Sequence, residues 1–303
     1  MEIKRIKSIT EYHRFVGLPK PQHPLISLID YSKVVHQTDG KSLSFVMDFY
    51  SIALKRVDGI KMFYGQSEYD FDEGLMSFLA PGQVLRIEID PNAPNNRSGY
   101  LLQIHPDFLW KSFLAKTIKQ YEFFNYTINE ALFLSDKEET IITTIFEGIK
   151  QEYHTNIDKF SKDLIIAQIE LLLKYADRFY NRQFITREIS NHQILSKIEG
   201  FLNDYFNTEN LSKSGLPSVQ SIAEKLNISP NYLSNLLKLH TGQSTQQHIH
   251  NKLIEKAKEK LSTTNLSVSE IAFELGFEHS QSFSKLFKNK SGVSPLKFRE
   301  SFN

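Results

Sequence analysis

Two short stretches place amide, amine and hydroxyl side chains at the spacing of a helix face. In the first, Asn231, Ser234 and Asn235 stand at i, i+3 and i+4, with Tyr232 and Lys238 beside them. In the second, Gln281 and Lys285 are four apart, Ser280 adjoins them, and His279, Ser282, Ser284 and Lys288 form the rim. On a helix these positions face outward, while Leu233, Leu236 and Leu237 in the first stretch and Phe283, Leu286 and Phe287 in the second point inward. The chemistry open to such faces is hydrogen bonding and charge neutralisation. Asn and Gln amides pair bidentately with an adenine edge, and Lys approaches guanine. The base-edge candidates are therefore Asn231, Ser234, Asn235, Ser280, Gln281 and Lys285. Tyr232, Lys238, His279, Ser282, Ser284 and Lys288 are expected nearer the phosphates.

Other chemistry finds little support. There is no cysteine, which removes disulfides, thiol nucleophiles and cysteine-held clusters. A metal-binding barrel needs three or four converging N or O ligands, yet residues 25–105 offer only His36 and His105 and no H-x-H pair. Glu68, Asp70, Asp72 and Glu73 read as a solvated acidic loop, and His248 and His250, two apart on an expected helix, diverge. No nucleophile elbow, Walker loop or G-x-G-x-x-G occurs. The reading is no catalytic residue, no metal and no cofactor, and hence no enzyme.

The elements that must hold the two polar faces occur as a repeat. Ile222, Ala223 and Leu226 recur 49 positions later as Ile271, Ala272 and Leu275; Leu233, Leu237, Gly242 and Ser244 recur 50 later as Phe283, Phe287, Gly292 and Ser294. Each copy reads as short helix, tight turn, short helix. Ser218 and Ser229 are N-caps with Pro230 at N1, Ser267 and Glu270 make a capping box, Gly276 permits a sharp turn, and Gly242 and Gly292 end the second helices. These are helix-turn-helix units, whose second helix enters a major groove. Between them, Ile249, Leu253, Ile254, Ala257 and Leu261 line one face of a spacer helix. From Thr245 to Leu261 it would span roughly 25 Å at ~1.5 Å per residue. Adding the offset of each reading helix brings the two heads near one turn of DNA apart, about 34 Å.

The remaining 190 residues have a different texture. Residues 25–106 alternate β-prone runs such as LISLIDY, SFVMDFYSIALK and GYLLQIH with DG, PG and PNAPNN turns, which predicts a small antiparallel barrel or sandwich. From about Glu130 the period becomes helical: Ile141, Ile142, Ile145, Phe146 and Ile149, then Ile165, Ile169, Leu172, Leu173 and Ala176, form the stripes of a helical hairpin. Its second helix is apolar over more than one face, so Ile165, Ile169 and Leu172 are expected at a homodimer interface. Residues 183–192 are polar and read as a linker. The whole chain of 303 residues is 40% hydrophobic with 36 basic and 35 acidic residues, the balance being +3 in residues 191–303 and −2 before them. It has no long apolar run and a basic start without a hydrophobic leader, which predicts a cytoplasmic protein with no membrane partner.

The stretch SVSEIAFELGFEHSQSFSKLFKNKSGVSPLKFR, with IAEKLNISPNYLSNLLKLHTGQS and IEKAKEKL before it, closely resembles the DNA-binding domain of the AraC/XylS family of transcriptional regulators. The resemblance rests on Ile271–Ala272, Gly276–Phe277, Phe283–Ser284, Phe287–Lys288, Gly292, Ser294–Pro295 and Phe298–Arg299. It extends more weakly to FYGQSEYDFDEGLMSFLAPGQVLRIEI and YLLQIHPDFLW, which look like barrel halves found in one branch. Departures are Lys252 where Arg is common, Leu237 where Phe is frequent, and Asn235 where many relatives carry a long basic side chain. Asn cannot make the bidentate Arg–guanine pair, so the base preference of relatives does not transfer. The resemblance implies an α+β fold with four parts: a cupin-like antiparallel β-barrel (1–130), a dimerising helical hairpin (131–182), a linker (183–192) and an all-α domain of two helix-turn-helix units on a spacer helix (193–303). The implied function is sequence-specific binding of double-stranded DNA to regulate transcription, with RNA polymerase as a further candidate partner. One version has a small organic effector in the barrel, against Phe49, Tyr50, Phe63, Tyr64, Phe78 and Tyr100; the alternative is a barrel that serves only as a dimerisation scaffold.

Overall fold

The computed structural model describes residues 3–34, 43–57, 62–64, 67–69, 74–87, 97–126, 130–155, 160–186, 188–207, 211 and 215–301. The chain divides into two compact units, Met1–Thr186 and Arg187–Asn303.

The first unit is built on period-2 strands. Its central sheet contains β2 (Ile26–Asp30), β4 (Tyr50–Val57), β7 (Leu75–Leu79), β9 (Arg97–Ile104) and β10 (Leu132–Phe133), in the order β10-β7-β4-β9-β2 and antiparallel throughout. A second sheet joins β1 (Lys4–Ile6), β3 (Leu43–Met47) and β8 (Val84–Ile87) in the order β1-β3-β8, and β5 (Met62–Tyr64) pairs with β6 (Ser67–Tyr69). Alternation decides the layers. Ile29, Ala53 and Leu101 on one face of the central sheet pack with Phe45, Met47 and Phe49 and with Ile9 and Tyr12 of α1 (Ile9–Phe15). Leu28, Leu54, Phe78, Tyr100 and Leu102 take the opposite face.

That opposite face is covered by helices, after the short α2 (Leu114–Thr117), through α3 (Asp136–His154) and α4 (Ser161–Thr186). Tyr100 stacks on Phe146 of α3 at 5.4 Å, and Phe78 meets Tyr180 of α4 at 6.1 Å. Polar groups near the end of α4 hold the two-residue β10 in place. Gln183 accepts from the Phe133 N–H at 2.8 Å and donates to the Ala131 carbonyl, while Arg182 bridges the Phe133 carbonyl and Glu138. Each buried bond of this kind contributes about 1 kcal/mol net and would cost more if left half-made.

The expected cupin-like barrel is not what forms. Closure requires the edge strands of the two sheets to pair, but among the described residues β2 and β10 end one sheet and β1 and β8 end the other, with no hydrogen-bonded register between them. The unit is an open, layered α+β structure: a three-stranded sheet with α1, a five-stranded sheet, and a helical hairpin. The strand runs were readable from local pattern, whereas closure is a long-range property of register that local pattern does not encode.

Among its described residues the second unit has no strand, and its helices are α5 (Glu188–Asn207), α6 (Val219–Leu226), α7 (Pro230–Thr241), α8 (Thr245–Thr263), α9 (Val268–Glu274), α10 (Ser280–Ser291) and α11 (Pro295–Glu300). The stretch 183–192, expected to be a linker, is helical on both sides of residue 187, and the division between the units falls at the same place.

Candidate nucleic-acid interface

The first polar face is set by α6 and α7. Ser218 accepts from the Ser221 N–H to start α6, and Asn227 ends it in the left-handed region at φ 55°. Asn tolerates that conformation because its short side chain bonds locally. Two residues later Ser229 accepts from the Tyr232 N–H at 3.1 Å and Pro230 fills N1, so α7 starts as a separately capped helix. Gly242 stops it at φ 71°. Ser244 with Gln247 then caps the spacer α8, roughly 28 Å long at ~1.5 Å per residue.

The second face repeats the device. Ser267 and Glu270 cap each other around α9, and the Ser267 N–H bond holds the Glu270 carboxyl below its usual range. Gly276 turns at φ +83°, with Gly292 at φ +81° ending α10 and Ser294 and Pro295 opening α11.

Both second helices bury one stripe in a single core. Ile222, Ala223, Leu233 and Leu237 of the first helix-turn-helix, Ile249, Leu253 and Ala257 of the spacer, and Ile271, Ala272, Phe283 and Phe287 of the second helix-turn-helix belong to one cluster. Leu236 is buried as well, and Leu286 packs against the cluster partly covered.

The structure separates the expected contact residues into three groups. His279, Gln281, Ser282, Lys285, Lys288 and Lys238 are exposed, and Asn231, Asn235, Ser280 and Ser284 are half-buried at the helix surface. Ser234 is also half-buried, its hydroxyl 3.3 Å from the Thr245 hydroxyl. Tyr232 is the correction: it is 1% exposed, and burial pushes its phenol well above the ordinary range, so it packs rather than touching phosphate. As the third helical residue of α7 it sits under the cap, its N–H donating to the Ser229 hydroxyl. A residue passed over is Asn289, exposed and four residues beyond Lys285; continuing the Gln281–Lys285 row by one turn would have found it.

Charge is distributed unevenly over these helices. On the spacer, Lys252 and Lys256 are paired with Glu255 and Glu259 at 2.9 and 2.7 Å, and Lys260 with Glu274 of α9. Lys238, Lys285 and Lys288, on the second helices, form no ion pair among the described residues. A polar bridge, Lys290 to Asn251 to Gln243, ties the end of α10 to the spacer and to the loop after α7. His248, 2.8 Å from the Thr241 hydroxyl, and His250, beside Gln246, have pKa values lowered by burial, and no group of three or more metal-ligating side chains occurs among the described residues.

In the first unit, three of the six aromatic residues expected around an effector are packed in the core. Phe49 is core beside Tyr12, Tyr50 packs on Phe124, and Phe78 on Phe123 and Phe124, while the side chains of Phe63 and Tyr64 lie outside the described residues. Tyr100 lines a cavity. The expected interface residues Ile165, Ile169 and Leu172 are all buried within the unit, at 5, 0 and 0% exposure, because α4 spends that stripe on α3 and the sheet. No helix among the described residues is long and apolar enough to cross a membrane.

Residues 222–301 match the family model of a helix-turn-helix domain. The chain is 40% identical over 84 residues to the raffinose operon transcriptional regulatory protein RafR of Pediococcus pentosaceus, covering 28% of this chain and 30% of that one. It is 28% identical over 141 residues to the transcriptional activator RhaS of an Enterobacter strain, covering 46% of each. The matches thus span less than half the length of these curated relatives. Among solved structures, the C-terminal domain of the response regulator yesN from Fusobacterium nucleatum is 32% identical, with 34% of this chain and 93% of that one covered and a TM-score of 0.30. The C-terminal domain of AraT from Geobacillus stearothermophilus is 35% identical, with 36% and 84% covered and a TM-score of 0.32. The relatives are named as regulators of transcription rather than as enzymes. Residues 222–301 thus match a helix-turn-helix domain, and the chain is similar in part to proteins named as regulators of transcription.

Proposed function

We propose that the protein is a sequence-specific DNA-binding regulator of transcription that reads double-stranded DNA with α7 and α10. The observation that carries this reading is the pair of helix-turn-helix units on one spacer, each offering an outward polar helix on which Lys238, Lys285 and Lys288 have no ion-pair partner among the described residues, while Lys252, Lys256 and Lys260 of the spacer are paired with glutamates. Unpaired cations facing solvent supply phosphate affinity, and Gln281, Lys285, Asn231 and Asn235 supply base-edge hydrogen bonds. Selection of bound duplexes from a random pool is the test. Enriched sites should contain two major-groove elements on one face, with affinity falling as salt rises; absence of enrichment over bulk DNA at physiological salt rejects the reading.

A second reading concerns the N-terminal unit, as a scaffold that pairs two copies. α4, with Phe160 just before it, exposes a stripe at alternating spacings of four and three: Phe160, Leu164, Ala167, Leu171, Lys174, Arg178, Asn181 and Ile185. This is the seam spacing of a two-stranded coiled coil. A parallel pair would oppose Lys174 to Lys174 and Arg178 to Arg178. An antiparallel pair centred near Leu171 instead brings the exposed Asp163 opposite Arg178, so charge favours a second copy in antiparallel orientation.

A further inference from the structure

The N-terminal unit holds a cavity of about 680 Å³, a size suited to a metabolite. It lies beside β2, the edge strand of the five-stranded sheet, with α3 on one flank and the segment 18–22 on the other. This is not the interior of a barrel: Leu28, Leu54 and Tyr100 of the helix-covered face form its floor, and it wraps round the sheet edge to Ser27 and His13.

The wall segment is fixed. His13 Nδ1 meets the Pro19 carbonyl at 2.6 Å, the Gln22 N–H donates to the Tyr153 hydroxyl at 2.9 Å, and His154 lies 3.1 Å from the Gln22 amide oxygen. With Nδ1 donating to a carbonyl, His13 Nε2 accepts from the Ser27 hydroxyl at 2.9 Å, a neutral imidazole in keeping with a pKa lowered by burial. A space of about 680 Å³ between this segment and α3 is of the size that takes a small molecule.

The lining selects the charge of that molecule. Lys20, Lys33, Arg56 and Lys150 face the cavity against one lining carboxylate, Asp30. Arg56 is paired through Nε with Glu139 and Lys150 with Glu147, whereas Lys20 and Lys33 have no ion-pair partner among the described residues. Hydroxyl-recognising groups stand among them. The Thr143 hydroxyl is buried without a hydrogen-bond partner, and an unmade bond of that kind costs about 1–3 kcal/mol until something supplies it. Asp30 and His154 add an acceptor and an imidazole. We propose that this cavity binds a small organic anion that also carries hydroxyl groups, a sugar phosphate or hydroxycarboxylate, its charge held by Lys20, Lys33 and Arg56 and a hydroxyl by Thr143.

The inference goes beyond the DNA-binding reading and does not depend on it, because it is tested without DNA. Titration calorimetry of the full-length protein would use glucose 6-phosphate and citrate as probes and glucose as the neutral control. The expected result is saturable binding of at least one anion, about tenfold or more tighter than glucose, and weaker at high salt. The Lys20→Ala/Lys33→Ala double variant changes only exposed side chains and should keep the wild-type melting temperature while losing about tenfold in affinity. Thr143→Val, nearly isosteric, should weaken the same anion severalfold. Failure of both anions to bind saturably at millimolar concentration, equal affinity for glucose, or undiminished binding by the double variant overturns the proposal.

Discussion

At the scale of single residues, Tyr232 shows how one position on a helix changes a role. Sequence spacing puts it beside Asn231 and Lys238, yet it is 1% exposed and among the largest fully buried side chains. Removing a ring from such a site costs roughly 3–5 kcal/mol through lost burial and the cavity left behind. Tyr232→Ala should therefore lower the unfolding free energy of the second unit by about that amount, with weaker DNA binding only as a consequence. Lys288→Ala should do the reverse: unchanged melting, affinity reduced alike on matched and random DNA, and a log–log salt slope shallower by about 1. Gln281→Ala should instead cost about 1–3 kcal/mol on the preferred site and little on random sequence. Thermal unfolding together with titrations on the two kinds of duplex separates these cases. A Tyr232→Ala protein of wild-type stability that loses DNA affinity would return the phenol to the contact surface.

Among the elements, two glycines are required by geometry rather than by habit. Gly99 in β9 has φ +114°, and a Cβ there would overlap the Leu54 carbonyl of β4; Gly276 has φ +83°, with the Leu211 carbonyl 3.0 Å from where its Cβ would be. Gly242, at φ +71°, has open space around it. Chemical denaturation should rank the alanine variants accordingly: Gly242→Ala losing about 1–2 kcal/mol from backbone strain alone, and Gly99→Ala more than about 3 kcal/mol. Similar losses at the two positions would mean that β9 and β4 can move apart. Gly276 is legible in the sequence because it stands between two short helix patterns that need a sharp turn, whereas Gly99, in a single strand, carries no such signal. The same contrast runs through the fold. The helix-turn-helix pair could be read because caps, turns and apolar stripes lie within a few residues of one another and occur twice, at Ser218 to Gly242 and Ser267 to Gly292. The barrel expectation failed because closure depends on partners for β2 and β10 that no local pattern names. Residues 183–192 read as a linker for want of apolar period, and the first of them, Gln183, bonds the Phe133 N–H and the Ala131 carbonyl, a use of a polar side chain that periodicity cannot register.

For the whole molecule, the open question is what the outward face of α4 does, since the residues expected to pair copies are consumed inside. Ile165, Ile169 and Leu172 pack against α3 and the sheet, so Ile165→Glu places a charge in a core and should unfold the first unit instead of yielding a clean monomer. The exposed seam is the place to intervene. Leu171 is 46% exposed and Leu164 49%, large apolar side chains that gain from burial only if something covers them. In the antiparallel arrangement Leu171 meets its own copy at the centre, and a glutamate there would oppose like charges across the two-fold axis. Leu171→Glu should therefore leave the far-ultraviolet circular dichroism and melting temperature unchanged and convert a dimer into a monomer in sedimentation velocity at micromolar concentration. Two tethered copies bring a second pair of reading helices to the same duplex, so the monomer should also bind a duplicated operator about tenfold or more weakly while keeping wild-type affinity for a single copy of the site. A wild-type protein that sediments as a monomer, or a Leu171→Glu variant that remains dimeric, would remove α4 as the pairing surface and leave its seam without a partner of its own kind.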